Sequence, residues 1–176
     1  GYSSVISASW VNDSLAYMSG YNGLILKTEN TGDTWQNLSD GSRAAFSSIA
    51  FANNQTGCAV GSAPGNDFIY HTNDGGETWA AVLDSILEYA WIYDIVYKSQ
   101  TEVWASGSRN RVYHSVDGGG SWTVINPTDD ETNYYYSVCP VSDGRIYIGG
   151  SHLLFSDNNG ENWQWNDFDC PGYRIR

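Results

Sequence analysis

An all-β fold of repeated four-stranded units, a β-propeller, is what this sequence predicts, on three observations. An eight-residue frame recurs four times, and its closing tryptophans, Trp35, Trp79, Trp122 and Trp163, stand 44, 43 and 41 residues apart. A fixed period of that length is the mark of a repeat architecture. Between frames lie short alternating or β-branched runs bounded by Gly, Asn and Asp, and no stretch shows helical periodicity. Four strands per repeat is the content of a propeller blade.

The frame reads Ser/Thr, any residue, Asp/Asn, any residue, Gly, any residue, Ser/Thr/Asn, Trp. Its invariant positions are Asn30, Gly32 and Trp35; Asp74, Gly76 and Trp79; Asp117, Gly119 and Trp122; and Asn158, Gly160 and Trp163. An Asp or Asn side chain accepts from backbone amides one or two residues on and closes a turn. Glycine supplies a positive φ. The hydroxyls add weaker local bonds. The tryptophan opens the next strand and has a large apolar face to bury between units. Each residue type has a folding reason, so the frame is read as structural.

Unit one has strands over 2–10, 15–19, 24–27 and 35–38. Unit two repeats them over 47–52, 56–61, 68–72 and 79–83, unit three over 92–97, 102–107, 112–115 and 122–125, and unit four over 135–139, 145–149, 153–156 and 163–166. The blades span 1–41, 42–85, 86–128 and 129–168, and 169–176 begins a further blade or supplies a closing strand. Four blades can close a ring. A four-bladed ring needs no start of a fifth, so the sequence reads as part of a larger propeller. The alternatives are closure with a second copy, or residues 171–176 completing the first blade.

The repeated frame is identified as the Asp-box, or bacterial neuraminidase repeat. Gly20-Tyr21-Asn22-Gly23-Leu24-Ile25-Leu26-Lys27-Thr28, running into the first box, most resembles the photosystem II stability/assembly factor-like propellers. The resemblance implies a β-propeller and a scaffold for protein partners. Sialidases, xyloglucan-cleaving glycosidases and sorting-receptor ectodomains share the box, so it fixes no function. Tyr173-Arg174-Ile175-Arg176 approaches the Phe/Tyr-Arg-Ile-Pro motif that opens sialidases, but it lacks the proline and follows the boxes instead of preceding them. No sialidase activity is expected.

The formal charge of −12, from 20 acidic and 8 basic residues, argues against nucleic acid and anionic membrane surfaces as partners. No apolar run is long enough for membrane insertion. The start at Gly1 reads as a mature, processed or partial chain. Low Lys, high Asn/Ser/Thr/Gly/Tyr and acidity suggest an exported, extracytoplasmic protein of bacterial type. Cys58 reads as a buried thiol, and a Cys139–Cys170 disulfide is conceivable on export. Three Asn-X-Ser/Thr acceptors begin at Asn12, Asn37 and Asn54. Asp13-Ser14-Leu15 and Asp84-Ser85-Ile86 resemble a bacterial O-glycosylation acceptor.

In an up-and-down blade the boxes share one face with the first-to-second turns, and the blade connectors lie opposite. The connectors carry an acidic and aromatic set, and Trp91, Tyr134, Tyr173, Asp129, Asp130 and Glu131 are its candidate binding residues. Neighbours in a strand alternate, so at least one of Tyr134, Tyr135 and Tyr136 should be exposed. The expected partner is a protein or a glycan, besides the remaining blades of a larger chain or a second copy. No catalytic residue, metal site or cofactor is assigned. His71 and His114 hold the same place in their units and read as structural. The alternative reading is a glycoside hydrolase with paired carboxylates, for example Asp94 with Asp129 or Asp130.

Overall fold

A computed structural model describes residues 4–39, 44–63, 66–84 and 91–166. Among these residues sixteen strands form four antiparallel sheets, each a simple meander. The first holds β1 (Val5–Trp10), β2 (Ala16–Gly20), β3 (Ile25–Thr28) and β4 (Gln36–Asn37). The second holds β5 (Ala45–Phe51), β6 (Gly57–Ala63), β7 (Asn66–Thr72) and β8 (Ala80–Asp84). The third holds β9 (Ile92–Tyr97), β10 (Val103–Gly107), β11 (Val112–Ser115) and β12 (Thr123–Ile125). The fourth holds β13 (Tyr135–Pro140), β14 (Ile146–Gly150), β15 (Leu153–Ser156) and β16 (Gln164–Trp165). These are propeller blades, with β1, β5, β9 and β13 innermost and packed each on the next.

The box closes its turn over a longer reach than the sequence suggested. Asp74 Oδ1 accepts the Thr78 amide four residues on (2.9 Å) and the Thr72 hydroxyl (2.8 Å), while Thr78 Oγ1 donates to Oδ2 (2.6 Å). The first hydroxyl is no minor partner: Thr72 Oγ1 also accepts the Gly76 amide at 3.0 Å. Ser115 and Asp117 repeat the pattern with Gly119 and Ser121. Asn30 and Asn158 keep the same Oδ1 acceptor. Gly76, Gly119 and Gly160 hold φ of 87°, 102° and 83°, where a side chain is penalised. The Trp79, Trp122 and Trp163 indole N–H groups donate back to the carbonyls of these glycines.

Three apolar cores lie between successive blades. Leu15, Tyr17 and Ile25 of blade one meet Phe46, Ile49 and Phe51 of blade two. Cys58, Val60 and Ile69 meet Ile92, Ile95 and Tyr113 of blade three. Trp104 and Val112 meet Tyr135, Val138, Ile146 and Ile148 of blade four. The box tryptophans Trp79, Trp122 and Trp163 pack half-buried against these cores in turn. Tyr17, Cys58, Trp104 and Tyr147 are equivalent by strand register. The first three seat the next blade's box: the Tyr17 hydroxyl donates to the Gly75 carbonyl (2.9 Å), Cys58 touches Gly119, and Trp104 touches Gly160. Among the described residues no core joins blade four to blade one, so the blades form an open arc. Val5 and Trp10, which hold the places of Phe46 and Phe51, are 47% and 56% exposed.

Candidate binding face

The two ends of the blades are distinguished by backbone hydrogen bonds. On one, box amides bond to the first-to-second turn of the same blade: Thr31 to Ser14, Gly75 to Gln55 and Gly118 to Thr101. On the other, second-to-third turns bond to the segments that enter each innermost strand. The Ser108 amide donates to the Trp91 carbonyl, Ser151 to Tyr134, and Asn110 to Asn133, each at 2.8 Å. Boxes and connectors therefore occupy opposite faces.

A glycine and a bulge in each blade shape the connector face at the axis. Gly20, Gly107 and Gly150 end the second strands of their blades and Gly61 lies near the end of β6, and a Cβ on any of them would collide with the carbonyl of the residue that enters the innermost strand. Beside each glycine the pairing register shifts, leaving one extra residue on the innermost strand. Such a bulge re-aims a side chain. The residues set in those bulges are Ile6, Ser47, Tyr93 and Tyr136.

An aromatic cluster results. Trp91 and Tyr134 lead into β9 and β13 and are 48% and 42% exposed; Tyr136 is 58% exposed. The Tyr136 ring lies 5.0 Å from Tyr93 and 6.5 Å from Tyr134, near parallel to the latter at 19°. Tyr135, between them, is fully buried and donates to Asn110 Oδ1 at 2.8 Å. The exposed tyrosine expected in this triplet is thus two residues, one on each side of a core residue. Tyr93 was not singled out in the sequence; only the bulge brings it to the surface. Tyr173 lies outside the described residues, as do the further strand over 169–176 and one partner of the suggested Cys139–Cys170 bond.

The acidic run sits elsewhere on the same face. Its connector is folded around Asn110, a buried residue at φ 58° whose Oδ1 accepts the Thr128 amide (3.2 Å), the Thr128 hydroxyl (3.0 Å) and the Tyr135 hydroxyl. The Asn110 Nδ2 donates to the Thr128 carbonyl. This raises Asp129, Asp130 and Glu131 to the surface. Asp130 Oδ1 accepts the Thr132 amide (2.9 Å) and hydroxyl (2.7 Å), which holds its carboxyl below the usual range. Asp129 and Asp130 line a cavity of about 520 Å³ with Pro127, Asn133, Trp163 and Trp165. Trp163 and Trp165, rather than Trp91 and Tyr134, are the aromatic neighbours of the acidic residues.

Asp94 is drawn away from that run. It lines an axial cavity with Ser7, Ser48 and Val138. Its carboxylate accepts Ser48 Oγ (3.3 Å), Ser137 Oγ (3.1 Å) and the Ile95 and Val138 amides (2.9 and 3.1 Å). It thereby ties three blades together, and the cavity it lines does not include Asp129 or Asp130, which line another. His71 and His114 share a register position with Lys27 and Phe155. The His114 ring stacks on Trp104 at 3.8 Å, and burial lowers the pKa of both histidines. His152, which suggested no partner in the sequence, meets Trp165 edge to face at 4.5 Å.

The fold is similar to that of YCF48 bound to a D1 peptide, with a TM-score of 0.71 at 18% identity over 93% of this chain and 54% of that one. YCF48 from Cyanidioschyzon merolae gives 0.70 at 18% identity, covering 93% and 56%. An ancestral GH74 enzyme gives 0.73 at 20% identity, covering 92% and 24%. The chain thus spans about half the length of the YCF48 structures and about a quarter of the GH74 enzyme. No family model and no curated protein matches the sequence. At these identities the likeness is one of fold.

Proposed function

We propose that the chain is a non-catalytic β-propeller recognition module that binds a protein through its connector face, on an exported or cell-surface protein. One observation carries the reading: Trp91, Tyr134 and Tyr136 are exposed together on a face whose backbone is fixed by glycine, bulge and hydrogen bond. Aromatic side chains on a rigid support are the residues that carry most binding energy at protein contacts. The neighbouring YCF48 structure, solved with a D1 peptide, supports a peptide or protein as the partner class. The low-lysine, acidic composition supports the exported location.

The glycosidase alternative draws support from the GH74 neighbour, but needs two free carboxylates across a cleft. Asp94 receives four hydrogen bonds, and its cavity contains no second acidic residue among the described ones. A peptide array and a glycan array, probed with the parent chain and the Trp91→Ala/Tyr136→Ala variant, test the proposal. Peptide binding that the variant weakens by about 1–2 kcal/mol per aromatic is expected. Binding lost instead on changing the box-face residues Glu77 and Glu161, or turnover of a glycan, overturns it.

A further inference from the structure

We infer that the groove between the blade-four edge and the connector before it receives the guanidinium of an arginine side chain from a protein partner. The inference rests on the connector face being a recognition surface and names the chemistry of one contact, at a position separate from the aromatic cluster at the axis.

The groove has a π floor and an acidic rim. Trp163, just before β16, and Trp165, within it, both line the cavity. Leu154, paired with Trp165 across the ladder, shares its side. Trp165 is 54% exposed, and its ring packs perpendicular to that of His152 at 4.5 Å. Asp129 and Asp130 enter from the connector, and among the described residues no lysine or arginine lines the cavity.

The hydrogen-bond inventory favours a ligand that mainly donates. Several donors on the groove wall are already committed, and among the described residues the indole N–H of the exposed Trp165 is not. The Trp163 indole N–H goes to Gly160, the Thr128 amide and hydroxyl go to Asn110, and the Asn133 amide group goes to Thr128. Free acceptors outnumber that one donor: among the described residues one oxygen of Asp130 and both of Asp129 have no hydrogen bond. A sugar hydroxyl both gives and takes, whereas a guanidinium only gives. Carboxylates bind its fork in two-point fashion, and an indole face attracts a delocalised cation. Arginine suits this pairing of a flat face and a rim of acceptors better than lysine, whose ammonium is compact and strongly hydrated. The net charge of −12 draws such a partner from a distance.

The test titrates an acetylated tri-arginine amide into the isotope-labelled chain and follows the Trp163 and Trp165 indole N–H resonances. A tri-citrulline peptide of the same shape and a soluble cello-oligosaccharide are run beside it. Saturable shifts with the arginine peptide and none with citrulline are expected. The Asp129→Asn/Asp130→Asn variant should weaken binding about tenfold or more, the scale of lost charge-assisted pairs. Trp165→Ala should weaken it independently of the aspartates. Asp157→Asn/Glu161→Gln, on the box face, should leave it unchanged, and dispersed amide spectra confirm that each variant is folded. Equal binding of citrulline, or equal loss from the box-face change, overturns the inference. Indole shifts from the oligosaccharide alone would make the groove a glycan site and also overturn it. The Trp91→Ala/Tyr136→Ala variant should bind the arginine peptide normally, so a failure of the axial cluster and a failure of the groove are read separately.

Discussion

The four box glycines Gly32, Gly76, Gly119 and Gly160 permit a graded test of how the blades pack. All four hold φ between 83° and 102°, so alanine at any of them carries a similar backbone cost of about 1–3 kcal/mol. Stiffening the unfolded chain returns roughly 0.4–1 kcal/mol of it. What differs is the space. At Gly32 the added Cβ meets only the Trp35 ring, at 3.6 Å, and at Gly76 its nearest neighbour is Leu38 at 3.4 Å. At Gly160 it lies 2.9 Å from Trp104 and 3.1 Å from Ile125. At Gly119 it overlaps the Cys58 sulfur, in a core with nowhere to move. Overpacking adds about 1–3 kcal/mol. The expected order of destabilisation is Gly32→Ala and Gly76→Ala least, then Gly160→Ala, with Gly119→Ala greatest. Urea melts with an unchanged slope provide the numbers. Cys58→Ala should recover part of the Gly119→Ala loss, a coupling of roughly 0.5–3 kcal/mol for residues in contact. If Gly32→Ala costs as much as Gly119→Ala, or Cys58→Ala recovers nothing, then the box glycines serve the turn alone and the seat against the preceding blade is misread.

Other outcomes follow from the same geometry. Trp104→Ala, at a fully buried position, should cost about 3–5 kcal/mol, whereas Trp91→Ala, half in water, should leave the melting temperature nearly unchanged. Asp74 is held at a pKa of about 2 against 3.8, chiefly by the Thr78 hydroxyl and amide and then by the Thr72 hydroxyl. Its unfolded form binds the proton first on acidification, so its stabilisation is complete above pH 3.8 and is lost as the pH falls towards 2. Asp74→Asn, the residue that two sister boxes already use, should flatten the acid limb of a stability–pH profile and change little at pH 7. The exposed Val5 and Trp10 at one end of the arc, and Tyr147 in the place of Cys58 and Trp104 at the other, with Phe155 stacked beside it, should drive residues 1–176 to self-associate. Sedimentation should show species above the monomer, reduced by Trp10→Lys and Tyr147→Lys.

The individual blade was legible in the sequence because its determinants are local. The box closes within four residues of each aspartate or asparagine, through Thr72, Asp74 and Thr78 or their equivalents. The alternating runs between boxes need only a hairpin partner, so all sixteen strands fall where periodicity put them, shifted by one to three residues at some ends. Opposite placement of boxes and connectors is likewise a consequence of counting antiparallel strands.

The relation between blades was decided only by the tertiary structure, because it depends on contacts that the period alone does not encode. Cys58, Trp104 and Tyr17 look unrelated in a list of residues, yet they are one position, defined by the box that the next blade lays on it. The bulges beside Gly107 and Gly150 bring the Tyr93 and Tyr136 rings together, against the alternation a regular strand would impose. Asp94 looked free in the sequence until Ser48 and Ser137, each more than forty residues away, closed on it from the adjoining blades. The acidic run after Thr128 was visible. Its neighbours were not, because the fold of that connector around the buried Asn110 brings Asp129 and Asp130 to Trp163 and Trp165, which belong to the last strand edge of another sheet. Local hydrogen bonds fix a blade, whereas the packing of whole sheets fixes which side chains meet between blades and at their rims.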